Sequence, residues 1–342
     1  MPQLSGARVA LRCDAGATLG VGHVMRCVAL GEELTARGHE VLLWGDLGGI
    51  GWLQTLVAAH GYDVVPALGD PAACARAADL LGLDAVVLDG YHLDDGLGAA
   101  LVTPSRRLLT LVDYEFGVHQ YADVYVDQNL GAETYPDLPA GATALAGIEY
   151  ALFRDTVRDR RRVAPAAPRD TGDPVRVVAV FGGTDAFGAA PVVVPALLAT
   201  GAPLDVTVVA TRPESIDAVR AIPTAAGQQV RVVAPAPDFG ALVADADLVI
   251  SASGSSVWEL LCMGVPAAVV CVVDNQEQGY RQCLDRGVVA GLGHLGRFDA
   301  AAATATLTTL VTDAATRDGY AARGQALVDG HGRERVVDAF LP

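Results

Sequence analysis

Val9-Ala10-Leu11-Arg12-Cys13-Asp14, followed after a short loop by Gly20-Val21-Gly22-His23-Val24-Met25-Arg26, decides the fold of this chain. An apolar run of strand length feeds a glycine turn, and the turn opens a helical pattern through Ala29, Leu30 and Leu34. A strand, a tight turn and a helix in that order form the opening unit of a parallel α/β sheet. Glycines at such a turn let backbone N–H groups approach a ligand closely, and the helix dipole adds positive potential there. His23, set inside the turn, can take up a proton near neutral pH. The dinucleotide fingerprint needs a third glycine where Met25 stands, so a nicotinamide cofactor is disfavoured. A turn whose histidine only caps a helix stays open at this level.

The same grammar runs outward from the turn. Strand patterns fall near 7–13, 40–44, 62–65, 84–89, 107–112 and 123–127, with helical segments such as 22–37 and 51–60 between them. Residues 163–174, Val-Ala-Pro-Ala-Ala-Pro-Arg-Asp-Thr-Gly-Asp-Pro, lack periodicity and read as a linker. A second half then restarts at 175–181 and continues through 205–210, 229–233, 247–250, 266–272 and 288–291, with a last helix near 315–328 and a short tail. The expected class is α/β, with two Rossmann-like domains over 1–162 and 175–342. Ligands of such sheets bind outside the carboxyl ends of the strands, so a cleft between the domains is the expected site and hinge closure the expected motion.

Composition narrows the partners. The 342 residues carry a net charge of −16, and every lysine-or-arginine position is arginine. That acidity argues against sequence-independent nucleic-acid binding. The run Arg158, Arg160, Arg161 and Arg162 is the only dense basic patch and reads as a solvated helix end. No apolar stretch is long enough to span a bilayer and no leader pattern precedes Arg12, so a soluble cytoplasmic protein with no membrane partner is expected. The six cysteines form no CxxC pair and the histidines show no H-x3-H or HExxH spacing, so no metal site and no cofactor are expected.

Three further turns carry chemistry in the second half. Ser251-Ala-Ser253-Gly254-Ser255-Ser256 links a buried strand to the helical run Val257-Trp-Glu259. Free N–H groups and hydroxyls there would cradle an anion, and Glu259, one turn in, could accept bonds from a ribose diol. The plainer reading makes Ser253 or Ser255 an N-cap and Glu259 a dipole partner. Gly182, Gly183 and Thr184 follow the first strand of this half, and Asn275-Gln276 follow a later one. In the first half, Asp89-Gly-Tyr91, Asp113-Tyr114 and Asp127-Gln-Asn129 end successive strands, as a polar wall would.

With these residues in hand, nearly the whole chain resembles the nucleotide-sugar hydrolases of the pseudaminic acid pathway, relatives of the lipid II N-acetylglucosaminyltransferase with the GT-B fold. The matching features are Arg12-x-Asp14, Gly20-x-Gly22-His23-x-x-Arg26, Asp89-x-Tyr91, Asp127-Gln-Asn129, Tyr150-Ala-Leu-x-Arg154, Phe181-Gly-Gly-x-Asp185, Gly254-Ser-Ser-x-x-Glu259 and Asn275-Gln276. The resemblance implies that His23 is the catalytic base with Tyr91 nearby, and that Gly254, Ser255 and Glu259 bind the nucleotide. The hydrolases usually carry paired aspartates where this chain has Asp113-Tyr114 followed by Glu115-Phe-Gly. An aromatic residue there suits a flat acceptor. The chain is also similar to small actinobacterial glycosyltransferases related to cytosylglucuronic acid synthase, which implies a role in antibiotic biosynthesis.

The expectation is therefore an inverting, metal-independent enzyme that moves a sugar from an NDP-sugar, such as UDP-glucuronic acid, to a small acceptor such as a nucleobase. Water as acceptor is the alternative. The UDP-sugar is substrate rather than cofactor. His23 is the expected base, with Asp14, Tyr91 and Asp113 beside it in the catalytic set; Gly22, Gly182, Gly183, Thr184, Ser253, Gly254, Ser255, Ser256, Glu259, Asn275 and Gln276 are expected to contact the donor.

Overall fold

In the computed structural model, residues 6–16, 19–113, 117–132, 138–163, 172–182, 185–235 and 238–342 are described. The chain forms two compact units: one from residues 1–155 together with 330–342, the other from residues 156–329. Sequence expectation had assigned the whole stretch after 175 to the second domain.

The first unit holds β1 (Arg8–Cys13), β2 (Glu40–Trp44), β3 (Asp63–Val65), β4 (Ala85–Asp89), β5 (Arg107–Leu111), β6 (Val124–Asp127) and β7 (Thr143–Ala146). They lie in one sheet in the order β3-β2-β1-β4-β5-β6-β7, and every pairing is parallel. Val9, Leu11 and Cys13 face one layer, with Val24, Val28 and Leu34 of helix Gly22–Ala36. Ala10, Leu42 and Trp44 face the other, with Cys74 and Ala78 of helix Pro71–Leu80. Burial on both faces is what makes these strands near-continuous apolar runs.

The second unit holds β8 (Val175–Val180), β9 (Leu204–Val209), β10 (Gln228–Val233), β11 (Leu248–Ala252), β12 (Ala267–Cys271) and β13 (Ala290–His294). Their order is β10-β9-β8-β11-β12-β13, again parallel throughout. In each sheet the strand order reverses once, between β1 and β4 and between β8 and β11. Crevices at the carboxyl ends of strands flanking such a reversal are the usual ligand sites of open α/β sheets.

Two expectations need correction. The tail after residue 328 is a helix, Gly332–Phe340, and it packs on the first sheet through Val336, Val337 and Phe340, all fully buried with helix Gly22–Ala36. Its periodicity is short, and its partner lies some 300 residues upstream, so local pattern gave no hint. The arginine run is not simply solvated either. Arg161 donates to the carbonyls of Cys262 (2.7 Å), Gln325 (2.9 Å) and Val328 (2.5 Å). Arg162 donates to Ala244 (3.0 Å) and Ala246 (2.6 Å). The two guanidiniums bond carbonyls at or just past helix ends of the second unit, where the helix itself offers no donor.

Candidate active site

In the first unit the reversal point gathers one polar network. Parallel pairing sets Asp89, the last residue of β4, level with Cys13 at the end of β1. Helix Gly22–Ala36 begins beyond that edge, and its start carries no side-chain cap, so His23 is not serving as one. His23 Nδ1 instead lies 2.7 Å from Asp89 Oδ1. Arg26, one turn further, grips the same carboxylate through Nε (2.6 Å, Oδ2) and an NH2 group (2.5 Å, Oδ1). The Cys27 thiol adds a weak contact at 3.7 Å.

The charge on Asp89 follows from these contacts. The residue is 1% exposed. Burial alone would raise its pKa, but the Arg26 charge and hydrogen bonds, with His23, outweigh it and hold the carboxyl below its ordinary value. An ionised Asp89 can accept a proton carried on Nδ1, and in a neutral ring that arrangement leaves Nε2 with its lone pair. That is the tautomer a general base requires. The Arg26 guanidinium lies 3.3 Å from the same Nδ1.

Tyr91 stands beside this pair, its ring edge-on to His23 with centroids 4.6 Å apart. Its hydroxyl donates to Asp113 Oδ2. Burial of the hydroxyl and the Asp113 charge push the phenol pKa up, although 43% of the residue's surface stays in solvent. Asn129 Nδ2 donates to Asp113 Oδ1 (3.0 Å) and to Asp127 Oδ1 (2.9 Å). The ends of β4, β5 and β6 thus contribute to one connected wall, as the succession of aspartates suggested. A cavity of about 10 Å³ opens against it, lined by Arg26, Asp89, Tyr91, Thr110 and Gln120 among others.

Asp14 stands outside that network. Its Oδ2 accepts from Arg12 (2.6 Å) and lies 2.6 Å from His92 Nε2, while Oδ1 accepts the Asp46 amide (2.7 Å). Burial opposes its charge, but these partners hold its pKa below the ordinary carboxylate value. The residue ties β1 to the loop after β2, which argues for a structural role. Asp89, at the centre of the His23–Arg26 network, is the residue that the reading by residue type leaves out of the catalytic set. Its signals in the sequence are its place at a strand end and the spacing Asp89-x-Tyr91.

In the second unit the reversal point is lined differently. Ser253 is buried, and its amide donates to the Val270 carbonyl (2.9 Å). Gly254 and Ser255 lead into helix Ser256–Met263, where Ser255 holds the N-cap position without a capping hydrogen bond from its side chain. Glu259 sits in the first turn of that helix. Gln276 reaches this loop from the neighbouring strand end: its Nε2 lies 3.5 Å from where a Gly254 Cβ would stand, and its Oε1 accepts the Val272 amide (3.1 Å). Asn275, beside it in a single 3-10 turn, is exposed.

Gly182 follows β8 with φ 74°, a conformation that glycine adopts without strain. Gly183 and Thr184 lie outside the described residues, as do Tyr114, Glu115 and Phe116. Asp185, which closes the same turn, is completely buried and accepts the Ala189 amide at 2.7 Å. It anchors the following helix rather than facing a ligand. In the first unit, Gly22 is the first residue of its helix, and a Cβ there would meet no neighbour within 4 Å. A Cβ could be accommodated, so the protein's own packing does not require glycine at that position.

Comparison with known proteins places the fold. No protein-family profile matches the chain. A 45-residue stretch is 44% identical to an uncharacterized glycosyltransferase of Methanosarcina mazei, but it spans only 13% of this chain and 11% of that protein. Among solved structures, MurG of Acinetobacter baumannii superposes with a TM-score of 0.69 at 20% identity, covering 98% of this chain and 99% of its own. The glycotransferase of kitacinnamycin gives 0.66 at 14% identity, with both chains covered in full. A UDP-N-acetylglucosamine 2-epimerase gives 0.62 at 11% identity over 97% of this chain and 95% of its own. These likenesses establish two parallel-sheet α/β domains of GT-B type. Among the described residues no helix is long and apolar enough to cross a membrane.

Proposed function

We propose that the chain is a GT-B enzyme that transfers a sugar from a nucleoside-diphosphate sugar to a small acceptor, inverting the anomeric centre. The observation that carries this reading is the series Arg26–Asp89–His23, in which one carboxylate holds both the guanidinium and Nδ1 of the ring; in the proposed role the other ring nitrogen serves as the base. In the proposed step, His23 Nε2 takes a proton from the acceptor's O–H or N–H as that atom attacks C1. The bond between C1 and the diphosphate oxygen breaks, and the nucleoside diphosphate leaves with the electron pair. Backbone N–H groups of 254–256 meet the developing phosphate charge, and Glu259 accepts from the ribose. We assign the nucleotide as UDP and the finer specificity as UDP-glucuronic acid with a nucleobase such as cytosine. The neighbours' fold and the serine–glycine loop support the donor class. The acceptor rests on the sequence resemblance.

One observation favours the second reading, release of the sugar by water. The cavity beside Asp89 and Tyr91 has the volume of about one water molecule, and Arg26, Asp89, Thr110 and Gln120 share its walls with Leu88, Leu93 and Leu111. Incubation with a panel of UDP-sugars, with and without cytosine, separates the readings by UDP release. Release that depends on acceptor supports transfer, and equal release without it supports hydrolysis. No release from any nucleotide sugar overturns both. Proton NMR of the first-formed product reads the anomeric configuration, and retention would exclude single in-line displacement by a base at His23.

A further inference from the structure

Cys271, Glu277 and His294 belong to no short-range motif, yet the second sheet brings them together. Cys271 ends β12 and His294 ends β13, its parallel neighbour. Their register runs Ala268 with Ala290 and Val269 with Gly291, then shifts so that Cys271 stands opposite His294. A regular ladder would place Gly293 there. The extra residue is a bulge, and Gly293 takes it up at φ 85° while donating its amide to the Tyr280 hydroxyl (2.9 Å). Bulges re-aim side chains and concentrate beside functional sites. Glu277, the first residue of helix Glu277–Asp285, completes the group.

The three donor atoms all lie within 4.8 Å of one another. Cys271 Sγ is 3.8 Å from Glu277 Oε2, and His294 Nε2 is 3.1 Å from the same oxygen. A tetrahedral zinc ion with ordinary bond lengths separates such donors by about 3.3–3.6 Å, so the two contacts of Glu277 Oε2 are within a few tenths of an ångström of the required spacing. Arg281 holds the other oxygen of Glu277 at 2.5 Å, which keeps Oε2 turned toward the group. Tyr280 packs against the His294 ring, with centroids 5.6 Å apart. Such outer contacts orient ligands in metal sites. The sulfur is buried, whereas Glu277 and His294 remain about a quarter exposed, which leaves a side open to solvent.

We propose that Cys271, Glu277 and His294 bind a divalent ion of the zinc type, with water as fourth ligand. One thiolate and one carboxylate neutralise the ion, and imidazole supplies the nitrogen that borderline-soft metals favour. Because Glu277 directly follows Gln276, the ion pins the start of that helix beside Gly254. This assignment reverses the expectation of no metal site. The intervals from 271 to 277 and from 277 to 294 match no metal motif, and only the bulged register makes them neighbours.

The test is titration of the chelator-treated protein with Co2+ and Zn2+. Co2+ should bind at one equivalent with a thiolate-to-metal charge-transfer band and visible bands of tetrahedral intensity. Zn2+ should displace it. Cys271→Ser should abolish the charge-transfer band, and His294→Ala should weaken Zn2+ binding by at least about tenfold. Cys283→Ser, which removes a buried thiol outside the group, should leave both intact. Circular dichroism reports whether each variant is folded, and His294→Ala, at a partly exposed position, serves if Cys271→Ser is not. Absence of the band in the native protein, or its survival in folded Cys271→Ser, overturns the proposal.

Discussion

The two units build the same crevice and furnish it in opposite ways. At the β1/β4 reversal the wall is side chain: a histidine, an arginine, a tyrosine and carboxylates, each holding another by a hydrogen bond or ring contact. At the β8/β11 reversal it is largely backbone, with Gly182, Gly254 and the serines around Gly254. Side chains that can gain and lose protons suit acid–base work, whereas a helix start with small residues offers N–H groups to an anion. In the proposed function, one architecture used twice separates chemistry from recognition. The lesson is that position in the sheet marks where a site lies, and residue type at that position says what it does.

That division can be broken most sharply at His23. His23→Ala should lower turnover by about 10²–10⁴ while UDP affinity, read by calorimetry, stays near that of the native protein. Asp89→Asn should do comparable harm, because an amide can stabilise the wrong imidazole tautomer. A His23→Ala variant with near-native turnover would move the base elsewhere. The next effect concerns which residues belong to which unit. Phe340→Ala should destabilise the first unit by about 3–5 kcal/mol, the usual cost of emptying an aromatic site in a core. A thermal scan should show that unit's transition falling while the second unit's stays. A shift of the second transition instead would contradict the division.

Recognition should be the reverse of catalysis. Glu259→Ala should weaken UDP binding by about 1–3 kcal/mol, the range for lost hydrogen bonds to a charged group. Unchanged affinity would remove Glu259 from the nucleotide site. The smallest effect is electrostatic and lies on the far side of the helix that carries His23. His60 Nε2 bonds Glu32 at 3.0 Å, and this bond raises the imidazole pKa above its usual value despite partial burial. A raised folded-state pKa stabilises fully below about pH 6.5, the unfolded value, and that increment disappears as pH rises through the folded value. His60→Gln should therefore cost under about 1 kcal/mol at pH 5.5 and nothing near pH 9, as read by denaturant melts. An equal cost at both pH values would assign the effect to packing.

Much of this was legible from the chain alone, for identifiable reasons. The turn at 20–26 and the loop at 253–256 announce themselves because strand, glycine and helix signals are all local. The aspartates at 89, 113 and 127 read as strand ends for the same reason. What stayed hidden depends on lateral placement. Asp89 meets His23, 66 residues away in sequence, only because β4 pairs with β1. The sequence groups Asp14 with His23, but its oxygens are held by Arg12, His92 and the Asp46 amide, contacts that only the folded chain shows. The strand Thr143–Ala146 was missed since four residues at a sheet edge give almost no periodic signal. Helix Gly332–Phe340 reads as a tail until its buried face finds the first sheet.

That last helix has a consequence for synthesis. A ribosome delivers the first sheet early but withholds Val336, Val337 and Phe340 until the whole second unit has been made. The second unit is continuous in sequence and has all its core residues before the first unit has its own. The first unit must therefore wait with an uncovered apolar strip, against the usual order in which amino-terminal domains finish first. Chaperone dependence during translation should track this strip, and a premature stop before residue 330 should leave the base-bearing half incomplete while sparing the half assigned to the nucleotide.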